Sequence, residues 1–65
     1  MKKGQWILYR EKYGEGKWHT HLDSGTVRAF LSSGGVDYVM INSIWYEIKD
    51  IQVITALDED PGKND

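Results

Sequence analysis

The chain has 65 residues, of which 12% are aromatic, and it carries a net charge of −2 and no cysteine. So short a chain forms one domain with a small core, and without cysteine neither a disulfide nor a thiolate zinc site can reinforce it. No stretch approaches the roughly 20 apolar residues that span a bilayer. The basic and polar start at residues 1–5 does not resemble a signal peptide. We therefore expect a soluble, cytoplasmic protein that makes no membrane contact.

Charge is distributed unevenly along the chain. Residues 1–22 contain five lysines or arginines against two glutamates, whereas residues 58–65 contain four acidic residues against one lysine. The last eight residues also include Pro61 and Gly62 and have almost no apolar side chain to bury. We predict a single barrel-like domain over residues 1–57, followed by a disordered acidic tail over residues 58–65.

The first predicted elements form a hairpin. Residues 5–13 are rich in the aromatic and branched side chains that favour strands, and Gly14-Glu15-Gly16 is typical of a turn. Residues 17–22 then alternate, with Trp18, Thr20 and Leu22 on one side. This pattern predicts a second strand that turns Trp18 and Leu22 towards the core.

The segment that follows is open to two interpretations. Residues 23–25, Asp-Ser-Gly, are typical of a turn, and a strand over residues 26–32 would present Val27, Ala29 and Leu31 on one side. The alternative is α+β, with one short helix near residues 25–33 that ends at Gly34. We favour the strand, because a helix of about nine residues has little stability of its own.

Residues 36–48 predict a hairpin with a defined register. A two-residue turn at Asn42-Ser43 places Ile41 opposite Ile44, Val39 opposite Tyr46, and Met40 opposite Trp45. The expected core face consists of Val39, Ile41, Ile44, Tyr46 and Ile48. The other face consists of Val36, Tyr38, Met40, Trp45, Glu47 and Lys49.

A closing strand over residues 51–57 follows a break at Lys49-Asp50. The order of a strand opened by Gly25-Thr26-Val27, a hairpin, a short break and a closing strand resembles small SH3-like barrels. We predict an all-β domain, a small antiparallel sheet curled into an SH3-like or half-open barrel of five or six short strands. The chain lacks the acidic-aromatic loop and the proline of peptide-binding SH3 domains, so a proline-rich ligand is not expected.

The aromatic face of the hairpin is the first candidate site. Aromatic residues and methionine surrounded by charges are typical of the centre and rim of a protein interface. The candidate protein-binding residues are Tyr38, Met40, Trp45, Glu47 and Lys49. Two other arrangements stay open, in which the N-terminal hairpin covers this face or a homodimer hides it. We expect a non-catalytic interaction module, an adaptor or inhibitor of the accessory or phage type.

The alternative function is that of a small barrel that binds single-stranded nucleic acid. Its candidate residues are Lys12, Lys17, Trp18 and Arg28, which combine charge for the backbone with an aromatic ring for base stacking.

Metal binding and catalysis find little support. His19, His21 and Asp23 are spaced so that a strand would bring them to one face, but they are weak metal candidates because no other histidine or cysteine can complete a site. The serines have no assignable base and orienting partner. We expect no metal, no cofactor and no enzymatic activity.

Overall fold

The computed structural model describes residues 1–63, and nearly all of the regular structure is β. The strands are β1 (Trp6–Gly14), β2 (Lys17–Trp18), β3 (Asp23–Ser33), β4 (Val36–Ile41), β5 (Ile44–Glu47) and β6 (Ile51–Leu57). One 3₁₀ turn, Ile48–Asp50, separates β5 from β6, and a second spans Pro61–Lys63.

The strands form one curled antiparallel sheet. β1 pairs with β3 on one side and with β6 on the other, and β4 and β5 follow β3 in order. Within residues 1–63, β5 and β6 each pair with a single neighbour, so the barrel is half open between them. This is the predicted half-open barrel, a small curled antiparallel sheet, with six strands.

The core lies inside the curl. Among residues 1–63, its buried hydrophobic side chains are Ile7, Tyr9, Val27, Val39, Ile41 and Ile51, and Tyr46 and Ile48 pack against them. Successive side chains of a strand point to opposite faces, so the alternate residues of each strand form the outer face.

The segment after the first hairpin is a strand, as favoured, and not the alternative helix. It is longer than predicted, because residues 23–25 belong to β3 and pair with β1 instead of forming a turn. Gly25 lies opposite Ile7, and a Cβ atom at Gly25 would stand 2.6 Å from Ile41 Cγ2. Close packing therefore requires glycine at this position. The sequence pattern alone had attributed this glycine to a turn.

A β-bulge at Arg28 also corrects the predicted faces of β3. Val27 pairs with Ile41, but the next paired residue, Ala29, lies opposite Met40. The extra residue reverses the alternation, so Val27 points into the core while Ala29 and Leu31 point outwards. The prediction that these three side chains share one side was wrong.

The second strand is shorter than predicted. β2 ends at Trp18, and residues 19–22 are irregular, with Leu22 exposed. The prediction of a core-facing Leu22 was therefore wrong.

The predicted disordered tail stays a prediction. Residues 58–60 follow β6, and the 3₁₀ turn Pro61–Lys63 is preceded by Asp60, whose Oδ1 accepts a hydrogen bond of 2.8 Å from the Gly62 N–H. Asn64 and Asp65 lie outside the described residues. Among residues 1–63, no helix is long and apolar enough to cross a membrane.

Candidate interaction surface

The outer face of β3, β4 and β5 carries a contiguous apolar cluster. Leu31 lies directly opposite Tyr38, and Met40 lies opposite Trp45 on one side and Ala29 on the other. Directly opposed residues of an antiparallel pair point to the same face with Cβ atoms about 5 Å apart. We call Leu31, Tyr38, Met40 and Trp45 the outer patch.

The hairpin that carries most of the outer patch has the predicted register. Tyr46 lies opposite Val39, and Ile44 lies opposite Ile41. Asn42 takes a positive φ of 58°, and its side-chain Oδ1 accepts a hydrogen bond from the Thr26 N–H at 3.1 Å. Its own N–H donates to the Thr26 carbonyl at 2.9 Å. These two bonds fasten the turn to β3, so β4 and β5 are held in a fixed position.

Side chains of the outer patch are accessible. Leu31 is 51% exposed and Trp45 is 44% exposed, whereas Tyr38 and Met40 are half-buried by their neighbours in the sheet. Among residues 1–63, β5 pairs only with β4, and the N-terminal hairpin does not cover Trp45, which is almost half exposed. The patch is therefore open to a partner.

Ile44 was expected in the core and is instead 56% exposed. It points to the inner face, but it stands at the end of the short edge strand β5, beyond the side chains that fill the barrel. The predicted core face of the hairpin therefore has the correct orientation, but the prediction that Ile44 is buried was wrong.

Charged residues border the outer patch at the end near the 3₁₀ turn. Glu47 lies opposite Tyr38, and Lys49 Nζ lies 4.0 Å from Glu47 Oε1. An exposed pair at this distance adds little stability and is free to exchange for bonds to a partner. A cleft of about 460 Å³ adjoins this end, lined by Gly35, Val36, Asp37, Glu47, Ile48 and Lys49.

Leu31 is the member of this surface that the sequence did not indicate. Simple alternation placed it on the same side as Val27, which is fully buried. Only the bulge at Arg28 turns Leu31 outwards. Sequence carries no strong signal for such a bulge, since Arg28 is neither glycine nor part of a turn motif.

The N-terminal hairpin pairs two of the four residues proposed for nucleic acid, and a third lies next to them in β2. Lys12 lies opposite Trp18, and Lys17 lies opposite Gly14. Arg28 is distant from them, because β1 pairs Trp6 with Thr26 and its opposite end carries Lys12. Trp6, opposite Thr26, lies six residues or roughly 20 Å along β1 from Lys12, and Arg28 lies two residues beyond Thr26.

The two histidines lie side by side outside the strands. The rings of His19 and His21 are 5.1 Å apart between centroids, and the ring of Tyr13 lies 4.9 Å from that of His19. Among the described residues 1–63, no group of three or more His, Cys, Asp or Glu side chains could hold a metal ion. The pair therefore has no third ligand in the described part of the chain.

Tyr9 and Tyr46 form a polar contact inside the barrel. The Tyr9 hydroxyl donates to the Tyr46 hydroxyl at 3.4 Å, and the rings meet edge to face with centroids 5.9 Å apart. Burial raises the pKa of the Tyr9 phenol well above its ordinary value of 10.0, and the hydrogen bond to Tyr46 adds to the rise. The phenol is thus neutral at physiological pH and acts structurally.

Comparisons with protein-family models, with curated proteins and with solved structures give no match for this chain. Its function is therefore inferred from its own geometry.

Proposed function

We propose that the protein is a non-catalytic interaction module that binds a partner protein through the outer patch. The observation that carries this proposal is the placement of Leu31 and Trp45, both about half exposed, beside Tyr38 and Met40 on a regular sheet. We further propose that it acts in the reducing cytoplasm as a small adaptor or inhibitor, which agrees with the absence of cysteine.

The physical reason is that rigid aromatic side chains bury a large area at low entropic cost. Trp and Tyr lose few rotamers on binding, and their neighbours exclude water from the contact. The sheet positions these residues before binding, because Asn42 and the β4 register fix the hairpin. Glu47 and Lys49 at the rim would orient the partner and increase its association rate.

The test compares Trp45→Ala with Ile44→Ala. These neighbours have similar exposure but point to opposite faces of β5, so they separate a patch effect from general damage to the hairpin. Proteins captured from native cells after nuclease treatment are identified for each variant, and the affinity of any recovered partner is measured by titration calorimetry with purified components. We expect Trp45→Ala to weaken binding by tenfold or more and Ile44→Ala to leave it within about twofold.

Equal affinities for the two variants would contradict the proposal. A homodimer is the competing occupant of the patch, and sedimentation velocity over a wide concentration range tests it. If the protein forms a dimer and Trp45→Ala dissociates it, the occupant of the outer patch is a second copy of this chain and not a different protein.

The second candidate is a nucleic-acid-binding barrel, and the register of the N-terminal hairpin favours it. Lys12 faces Trp18, with Lys17 adjacent, so a charged group and a stacking ring lie together. Arg28 is not part of this group. Anisotropy of a labelled single-stranded oligonucleotide should rise at low salt and fall steeply towards physiological salt. No change at low salt would exclude this function.

A further inference from the structure

The last strand, β6, has an edge that no other strand in the described part of the chain covers. β6 pairs with β1 along one side, and among residues 1–63 nothing pairs with its other side. The opposite edge of the sheet, β5, has only four residues and ends in Glu47. Short length and charge are the features that protect edge strands from pairing with another chain.

β6 has neither of these protective features. Its seven residues, IQVITAL, contain no charge and no proline, and all but Ile51 are exposed. Large apolar side chains stand out from the strand: Val53, Ile54 and Leu57 are 37%, 47% and 40% exposed. The one irregularity is a bulge at Ile54, which divides the edge into two shorter segments.

The direction of the backbone groups follows from the ladder. The N–H and the C=O of Thr26 both bond to Asn42. Backbone groups alternate in direction along a strand, so the N–H and C=O of the adjacent Gly25 point to β1. Gly25 therefore forms a hydrogen-bonded pair with Ile7. Trp6 and Leu8 lie on either side of Ile7, so their backbone N–H and C=O groups point the other way, to β6. There Trp6 pairs with Leu57 and Leu8 pairs with Thr55.

Ala56 lies between Leu57 and Thr55 in β6 and alternates with them. Its N–H and C=O consequently point away from β1, to the open side. It is therefore one of the residues at which the free edge offers backbone hydrogen bonds.

Carboxylates stand at both ends of this edge. Asp58 and Glu59 follow β6 and are exposed, and Asp50 precedes it. Lys49 is also near the first end, but its ammonium group lies 4.0 Å from Glu47, which offsets its charge. A second copy paired antiparallel would bring Asp58 and Glu59 of one chain beside Asp50 of the other, and this repulsion disfavours self-pairing.

We propose that β6 binds an extended, uncharged segment of a partner protein with lysine or arginine at its ends, which adds as a further strand to the sheet. Main-chain hydrogen bonds supply the affinity in this mode, and the end charges supply the selectivity. The site is distinct from the outer patch, because it consists of the backbone edge of β6, whereas the patch consists of side chains on the outer face of β3, β4 and β5.

The probe is a fluorescein-labelled peptide that has alternating valine and threonine in the middle and two lysines at each end. Its anisotropy is measured with the full chain, with Ala56→Pro and with Trp45→Ala. Proline at position 56 removes an outward N–H but no bond to β1, so the fold should persist. We expect tenfold or greater loss of affinity for Ala56→Pro and no change for Trp45→Ala.

Two matched peptides complete the test. One has glutamates in place of the lysines, and the other is N-methylated throughout its middle, so that it keeps its charge but loses its donors. Each should bind at least tenfold more weakly than the probe. Should Ala56→Pro fail to fold, equal binding of the methylated and unmethylated peptides would overturn the proposal.

Other outcomes would also overturn it. These are unchanged binding to folded Ala56→Pro, loss of binding in Trp45→Ala, and no binding of the probe at low salt. A concentration-dependent dimer that Ala56→Pro abolishes would assign the edge to a second copy of the chain instead.

Discussion

Gly25 shows how one residue can decide whether two strands, β3 and β4, pack closely. It is buried opposite Ile7, and a Cβ atom there would approach Asn42 Nδ2 to 2.7 Å as well as Ile41. We expect Gly25→Ala to lower the free energy of unfolding by about 1–3 kcal/mol, because the buried Ile41 side chain must shift to admit a methyl group. Urea denaturation measures this loss.

Gly14→Ala is the matched control for that substitution. The atom nearest to a Cβ at Gly14 would be Lys17 Cδ at 3.5 Å, which is an ordinary contact with a flexible side chain. Its effect on the unfolding free energy should be small. A Gly25→Ala protein as stable as the Gly14→Ala protein would show that the β3–β4 contact is looser than described.

Tyr9 predicts a specific loss of stability in alkali. Its pKa is raised in the folded state, so above about pH 10 the unfolded chain loses the phenolic proton while the folded chain retains it. Stability due to this group is complete below pH 10.0 and should fall by about 1.4 kcal/mol per pH unit above it. Urea denaturation from about pH 8 to about pH 11.5 measures the slope.

Tyr9→Phe isolates the contribution of this phenol, because it keeps the buried ring and removes the group that titrates. Its stability should decline less steeply in the same pH range, even if its value at pH 8 is lower through loss of the bond to Tyr46. Identical slopes for the two proteins would show that Tyr9 ionises as freely when folded as when unfolded.

At the scale of the element, the β4–β5 hairpin was predictable because its determinants are local. Alternation of side chains and a two-residue turn define every pair from Tyr38 to Ile41. Serine at position 43 is tolerated because, of the two turn residues, only Asn42 has a positive φ. Asparagine accepts this conformation more readily than most residues.

The turn predicts a graded response at position 42. Asn42→Gly accepts the positive φ but loses the side-chain bond to the Thr26 N–H, whereas Asn42→Ala loses the bond and also suffers backbone strain. We expect costs of about 1 kcal/mol for Asn42→Gly and about 2 kcal/mol for Asn42→Ala. Thermal and urea unfolding measure both, and the reverse order would refute this account of the turn.

β3 was predictable as a strand but not in its details. Its length and its faces depend on the bulge at Arg28 and on pairing with β1 and β4, which come from distant parts of the chain. Leu31 joins the outer patch through this bulge. A bulge is defined by an extra residue in one strand relative to its partner, so the periodic pattern of a single strand cannot show it.

For the whole molecule, burial separates residues that stabilise the fold from those available for binding. A chain of this length has a stability of roughly 3–10 kcal/mol. Ile41→Ala removes a fully buried side chain and should cost about 2–5 kcal/mol. Trp45→Ala should cost only about 1 kcal/mol, since its main loss is the cross-strand contact with Met40.

Urea denaturation of these two variants checks the assignment directly. A Trp45→Ala loss as large as that of Ile41→Ala would place Trp45 in the core and remove the basis for the interaction surface. Fluorescence is unsuitable as the only probe, because Trp45 is one of three tryptophans; circular dichroism serves both variants.

The amino-acid sequence by itself determined the all-β class, the positions of most turns, and the opposed faces of the β4–β5 hairpin. These follow from local periodicity and turn chemistry, which act between neighbours in the chain. Only the tertiary structure decided that Leu31 faces outwards, that Arg28 lies far from Lys12, and that no strand within residues 1–63 covers the outer edge of β6. Each of these depends on which distant strands pair and in what register, and that is set by the packing of the whole core.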